Sequence, residues 1–159
     1  MNMNENNVAP VRFDSDWISI HSVSPSLCGG SEEQIYEELA ALLENSGRVT
    51  DRRQLLADIS RRKDAGSTSI TELLDIPHTQ TSGVSQLCAA VGISQNRQIY
   101  AMVAWPENTA HCLQKIARLI ELLSDRRVEQ KLLGAADAGE LHGWISSALD
   151  ASGRRSAVQ

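Results

Sequence analysis

Four side chains in this 159-residue sequence have the types and spacing that transfer of an anionic group would need. His78 follows Pro77 at the end of a short apolar run, and His111 follows a Pro-Glu-Asn sequence. Arg62 and Thr68 lie on either side of a glycine-containing turn. A neutral imidazole nitrogen can attack phosphorus, while a second imidazole and a guanidinium neutralise the phosphoryl oxygens. We interpret the four residues as a candidate phosphoryl site with no evident need for a metal.

The predicted elements bring these residues toward one edge of a sheet. Proline lacks the N–H that a strand requires, so the strand predicted over 73–76 must stop or bulge at Pro77, which leaves His78 at the carboxyl edge. Ligands of open α/β sheets gather at that edge. Arg62 lies at the C-terminus of a predicted helix, and His111 lies at the start of another, where helix N–H groups favour anions.

The rest of the hydrophobic pattern predicts a weak first strand, then two helices, three short strands and three further helices. Strands are predicted over 17–21, 73–76, 87–93 and 99–105, the first from weak alternation. Helices are predicted from Ser31 to Gly47, from Thr50 to Gly66, from Asn108 or Thr109 through Leu123, from Ser124 to Gly134, and across Leu141 to Leu149. This order indicates an α/β or α+β layer fold with helices covering a small central sheet.

Length and composition predict one domain over residues 13–150. Residues 1–12 are Asn-rich and poor in large apolar groups, so we expect a flexible N-terminal tail, and the polar end of the chain predicts a second tail over 151–159.

Charge and cysteine content restrict the function classes. Fifteen basic against twenty acidic residues give a formal charge of −5, which disfavours a nucleic-acid surface. No apolar run reaches the roughly 18–20 residues of a membrane span, and the N-terminus lacks the pattern of a signal peptide. Three cysteines without a C-x-x-C motif suggest neither a disulfide framework nor a zinc site, so we expect a soluble protein in a reducing cytoplasm.

The other histidines and the core cysteines favour structural roles. His21 and His142 have no neighbouring catalytic pattern, and Cys88 and Cys112 fall on apolar positions that favour packing over nucleophilic chemistry. A Cys-His hydrolase fits poorly, because no third orienting residue or oxyanion site is recognisable.

Three motifs in order resemble the enzyme IIA domains of the mannitol/fructose type, and their nitrogen-regulatory relatives, in the bacterial sugar phosphotransferase system. "RRKDAGST" is similar to the Arg-Glu-x-x-x-Ser-Thr turn of that family, "DIPHTQ" to its Ala-Ile-Pro-His motif, and "WPENTAHCLQKIARLIELLSD" to its Pro-Glu-x-x-x-His-Leu segment. The resemblance covers residues 16–150. It places Arg62 and Thr68 in the turn, His78 on the phosphoacceptor, and His111 on the second active-site histidine.

The resemblance implies an α/β fold with a small central mixed sheet flanked by helices, and a phosphocarrier that needs no cofactor. His78 would take phosphate from the histidine-containing phosphocarrier protein and pass it to a cysteine of a IIB domain in the cytoplasm. A regulatory protein of the same fold, which binds targets according to the phosphorylation of His78, is the alternative. The sequence leaves both open.

The chain departs from the family pattern at several places. Lys63 stands where the family has Glu, Cys112 where it has Leu, and the connection over 94–98 is too short for the usual hairpin, so we expect a smaller sheet. Asp75 stands where the family has a small residue. A buried carboxylate needs a partner, and Arg62 or Lys63 are the predicted ones; with Arg62 diverted in this way, Asp75→Ala would accelerate phosphorylation.

Overall fold

The computed structural model describes residues 15–107 and 111–158, and this part of the chain is built around a six-stranded mixed sheet. The strands are β1 (Val23–Ser24), β2 (Ser69–Thr71), β3 (Leu74–Asp75), β4 (His78–Gln80), β5 (Cys88–Ile93) and β6 (Ile99–Trp105). The helices are a 3-10 helix (Ile20–Ser22), α1 (Glu32–Glu44), α2 (Arg52–Asp64), α3 (Cys112–Leu123), α4 (Arg126–Leu133) and α5 (Ala138–Val158). Helices lie on both faces, which confirms the predicted α/β fold with a small central mixed sheet flanked by helices.

The sheet has the strand order β1-β5-β6-β3-β2, and β4 also pairs with β6. The long central strands β5 and β6 are antiparallel and are joined by the short connection over 94–98. Arg97 adopts a positive φ of 64° in this connection, and its N–H donates to the Ser94 carbonyl at 2.9 Å. β1 is parallel to β5, β3 and β4 are parallel to β6, and β2 is antiparallel to β3.

The strand stops before Pro77, as the proline predicts, because β3 ends at Asp75 and strand pairing resumes with β4 at His78. β3 and β4 pair with the same strand in one continuous register, with Leu74 opposite Ile99 and His78 opposite Val103. Pro77 has no N–H to donate, but its carbonyl accepts from the Val103 N–H at 2.9 Å. The proline therefore interrupts the strand, and His78 begins the second half.

Alternation along the strands separates two hydrophobic cores. On one face, the side chains of Ile99, Ala101 and Val103 pack in a cluster with α3, α4 and α5. On the other face, Tyr100 and Met102 pack in a cluster with α1 and α2. A strand residue therefore faces one helical layer or the other according to its parity.

The first predicted strand, over 17–21, is wrong. Trp17 is buried, and the chain then forms the 3-10 helix, in which the Ser19 side chain accepts from the His21 N–H at 3.0 Å. A local serine cap provides the hydrogen bond that a neighbouring strand would otherwise supply, and the strand starts only at Val23.

Two helix starts shift by one residue. Asp51 caps α2, because its carboxylate accepts from the Gln54 N–H at 3.1 Å, while the predicted cap Thr50 donates its N–H to Gly83. Asp125, and not Ser124, caps α4. In both cases an aspartate takes the N-cap position in place of the hydroxyl residue that precedes it.

The final helix continues beyond the predicted domain end at residue 150, because α5 runs to Val158 through residues predicted as a tail. Adding turns to a packed helix needs no new nucleation, so the apolar pattern can stop before the helix does. The predicted tail over 1–12 and the predicted caps Asn108 and Thr109 lie outside the described residues. Within the described ranges, every helix is too short or too polar to cross a membrane.

Candidate active site

His78 is held in a single tautomer by the backbone. Its Nδ1 lies 2.7 Å from the Ile76 carbonyl oxygen, and a carbonyl can only accept, so Nδ1 carries the proton and donates. In the neutral ring, the lone pair is then on Nε2. The side chain is half-buried at the start of β4, and the arrangement leaves one ring nitrogen available as a nucleophile.

The ring of Trp105 lies nearly parallel to the His78 ring, with 6.4 Å between centroids and 14° between planes. Val103 is directly opposite His78, and Trp105 is two residues further along the same face of β6. The sequence analysis did not identify Trp105 as a site residue. The available signal was its position at the strand end before Pro106.

The turn that carries Arg62 runs beside the interrupted strand. The Thr68 carbonyl accepts from the Ile76 N–H at 3.0 Å, and β2 is antiparallel to β3, so the chain before Thr68 extends in the direction of His78. Arg62 is half-buried, and its Nη1 donates to the Gly66 carbonyl at 3.0 Å, which ties the guanidinium to this turn. The predicted edge thus places the arginine turn alongside the histidine strand.

The partners predicted for Asp75 are wrong. Asp75 is 6% exposed, and its carboxylate accepts from the Tyr36 hydroxyl at 2.8 Å and from the Thr68 hydroxyl at 2.6 Å. Lys63 instead pairs with Glu32. Because Arg62 is not diverted to Asp75, that reason for expecting Asp75→Ala to accelerate phosphorylation is lost.

The hydroxyl groups of Tyr36 and Thr68 are therefore committed to the Asp75 carboxylate. Burial, followed by the hydrogen bond and charge of Asp75, raises the pKa of Tyr36 well above its usual value of 10.0. Thr68 is 3% exposed, so its side chain faces this network while its backbone contacts Ile76. Two hydroxyl donors bond the carboxylate directly, and Lys63 reaches it only through the Tyr36 hydroxyl, to which its Nζ donates at 3.4 Å.

His111 occupies the N-cap position of α3 and is exposed. Its side chain makes no capping hydrogen bond within the described residues. α3 packs on the sheet face that also carries Val103, the partner of His78. His78, Trp105 and the start of α3 therefore share one face, whereas the Thr68 hydroxyl and Asp75 point to the other.

His142, Cys88 and Cys112 have structural surroundings. His142 Nε2 lies 2.8 Å from the Ile18 carbonyl oxygen, and a hydrogen bond there joins α5 to the N-terminal segment. Burial raises the pKa of the Cys88 thiol to about 12, which leaves almost no thiolate at neutral pH. Cys112 is buried at the first position of α3. In the part of the chain that the structure describes, no three His, Cys, Asp or Glu side chains are grouped to hold a metal.

The site geometry suits acceptance of an electrophile by Nε2 of His78. The ring has a fixed donor at Nδ1 and an aromatic neighbour, and the turn after α2 holds the Arg62 guanidinium on the Gly66 carbonyl. These are the parts that phosphoryl transfer requires: a nucleophile of defined orientation, and donors that can neutralise the equatorial oxygens.

Comparisons with known proteins agree with the fold and the motifs. The fructose-specific EIIABC component of the phosphotransferase system from Bacillus subtilis (strain 168) is 26% identical over 134 residues; the match covers 76% of this chain, which spans only about a fifth (21%) of that relative. The nitrogen regulatory protein IIA-Ntr from Neisseria meningitidis superposes with a TM-score of 0.72 at 19% identity, covering 82% of this chain and 97% of that one. Enzyme IIA mannitol, in its complex with phosphorylated enzyme IIB mannitol from Escherichia coli, gives a TM-score of 0.67 at 13% identity, with 81% and 96% coverage. Residues 17–148 match the family described as "Phosphoenolpyruvate-dependent sugar phosphotransferase system, EIIA 2", and the chain belongs to this family of enzyme IIA domains.

Proposed function

We propose that this domain is a phosphocarrier that accepts a phosphoryl group on Nε2 of His78. The hydrogen bond from His78 Nδ1 to the Ile76 carbonyl carries the proposal, because it assigns the lone pair to Nε2 before any donor arrives. The donor is the phosphohistidine of the histidine-containing phosphocarrier protein. No cofactor takes part in the proposed step.

The transfer step balances without proton movement. The Nε2 lone pair of His78 forms a bond to phosphorus while the donor P–N bond breaks, and the donor imidazole keeps that electron pair. His78 retains its proton on Nδ1, so the phosphorylated ring is an imidazolium whose charge offsets part of the phosphoryl charge. In the second step, a cysteine thiolate of a IIB domain attacks the same phosphorus and His78 Nε2 recovers its lone pair.

Arg62 and His111 act in this proposal as donors to the phosphoryl oxygens, and neither becomes phosphorylated. Arg62 belongs to the turn beside His78, and His111 begins α3, where helix N–H groups add positive potential. Thr68 contributes through its backbone contact to Ile76, because its hydroxyl is occupied by Asp75. The proposal thus assigns the four candidate residues the roles of one nucleophile, two donors and one support.

The proposed partners follow from the relatives. The Bacillus subtilis relative is an EIIABC component, and the mannitol structure is a complex with phosphorylated enzyme IIB. A IIB domain is therefore the proposed acceptor, which places the reaction in the cytoplasm. That relative is fructose-specific by its name.

Phosphate mapping tests the first transfer. The protein is incubated with phosphorylated carrier protein, and the acid-labile phosphate is located by mass spectrometry under neutral conditions. We expect label on His78 and none on His78→Asn, while the exposed His21→Asn is labelled like the unmodified protein. Label on His111, or no label while a control IIA protein is phosphorylated by the same carrier, contradicts the proposal.

A second assay tests the transport step. Labelled protein is mixed with IIB domains, and label on a IIB cysteine supports the complete relay. Labelling of His78 without transfer to any IIB domain would overturn the transport role and favour the regulatory alternative.

A further inference from the structure

Trp105 contacts the proposed nucleophile through the pairing of β4 with β6. His78 is opposite Val103, and Trp105 is the diagonal neighbour on the same face. Diagonal positions across a strand pair lie within reach of aromatic side chains. The observed centroid separation of 6.4 Å at 14° is an offset parallel arrangement, which aromatic pairs prefer to a face-to-face stack.

Two independent contacts then define the imidazole. The Ile76 carbonyl holds the Nδ1 edge at 2.7 Å, and the indole restricts rotation of the ring plane. Trp105 is itself half-buried and packs against the core cluster below α3, so it is a rigid support. With only one of these contacts, the imidazole ring could still rotate about that contact.

We propose that Trp105 is a positioning residue that restricts the plane of the His78 ring and so orients Nε2 for attack. The ring contact is independent of the proposed phosphocarrier function, whereas its effect on attack rests on that function. The ring contact exists in the unphosphorylated protein and can be measured there.

NMR of the unphosphorylated protein tests the positioning role without any phosphoryl transfer. We expect nuclear Overhauser contacts between the His78 ring protons and the Trp105 indole in the unmodified protein, and ¹⁵N shifts of a ring protonated on Nδ1. Trp105→Leu should remove the indole ring-current shift of the His78 protons and broaden the tautomer signature, and Trp105→Phe should retain most of both. Trp144→Phe, an exposed tryptophan on α5, is the matched control. Absence of the contact in the unmodified protein overturns the proposal even where Trp105→Leu fails to fold.

Transfer kinetics test the catalytic consequence. Because such an aromatic pair is worth about 0.5–1.5 kcal/mol, Trp105→Leu should lower the saturating rate of phosphoryl acceptance roughly twofold to thirteenfold. The carrier concentration at half-saturation should stay unchanged, and Trp105→Phe should recover most of the rate. A changed half-saturation with an unchanged saturating rate would show a docking contact and overturn positioning. If the NMR contacts are present but the unmodified protein accepts no phosphate, the phosphocarrier function is wrong and the ring contact still stands.

Discussion

Replacement of Asp75 by alanine removes the acceptor that two buried hydroxyl groups share. Tyr36 donates to Asp75 at 2.8 Å from α1, and Thr68 donates at 2.6 Å from the turn before β2. Tyr36 is 7% exposed, Thr68 3% and Asp75 6%, so water cannot readily replace the lost carboxylate. The contact joins the first helix to the sheet beneath it.

The expected cost follows from the donors left unpaired. Each buried hydroxyl without a partner costs about 1–3 kcal/mol. The mutant no longer has to bury a carboxylate, and the desolvation energy regained offsets part of this cost. We therefore expect Asp75→Ala to lower the free energy of unfolding by about 2–4 kcal/mol. Asp75→Asn keeps one acceptor oxygen and should cost about half as much.

Urea denaturation followed by circular dichroism measures these changes, and a double-mutant cycle assigns them. Tyr36→Phe removes one donor, and combining it with Asp75→Ala should cost less than the two single changes added, with a coupling of about 0.5–3 kcal/mol. Ser69→Ala is the control: Ser69 pairs with Asp75 across the ladder but is exposed, so the change should stay within about 0.5 kcal/mol. A loss below about 1 kcal/mol for Asp75→Ala, or additive effects in the cycle, would refute the network.

Further predictions concern pH, packing and transfer. The pKa of Tyr36 is raised in the folded protein. Its contribution to the free energy of unfolding is therefore complete below pH 10, where the unfolded tyrosine is still protonated, and declines as the pH rises above 10. In urea titrations at pH 9 to 11, Tyr36→Phe should lose less stability with rising pH than the unmodified protein. A Cβ on Gly92 would meet the buried Leu27 side chain at 2.6 Å, so Gly92→Ala should lower the thermal midpoint by an amount equivalent to about 1–3 kcal/mol, whereas Gly143→Ala, with open space and a helical position, should raise it slightly. Arg62→Ala should preserve the melting temperature while slowing phosphoryl acceptance about 10²- to 10³-fold in rapid-quench assays, and an unchanged rate would remove Arg62 from the site.

Local sequence signals predicted much of the architecture. Strand β6 has the predicted bounds, and β5 begins one residue inside its predicted range, because continuous apolar runs flanked by polar residues are typical of buried strands. Ser31 caps α1 as predicted, since a cap depends on side chains three residues apart. The order of the motifs likewise indicated the enzyme IIA family that residues 17–148 match.

Local signals failed where neighbouring residues compete for one role. Serine at position 19 stabilised a 3-10 turn in place of a weakly alternating strand, and Asp51 replaced Thr50 as a cap. A strand or a 3-10 turn is compatible with the pattern around Ser19, and Thr50 or Asp51 can each cap the helix that follows. The surrounding packing selects between them.

By itself the sequence determined the five α-helices, the two long central strands, the family and the placement of His78 after a proline, because these depend on residues that are neighbours along the chain. Only the tertiary structure decided that Asp75 pairs with Tyr36, 39 positions away, and that the Thr68 hydroxyl belongs to that pair. It also brought Trp105 beside His78, which required the continuous register across Pro77. Sequence alternation states which face a side chain occupies, but its partner depends on how strands align and helices pack, and those contacts form only when distant segments meet.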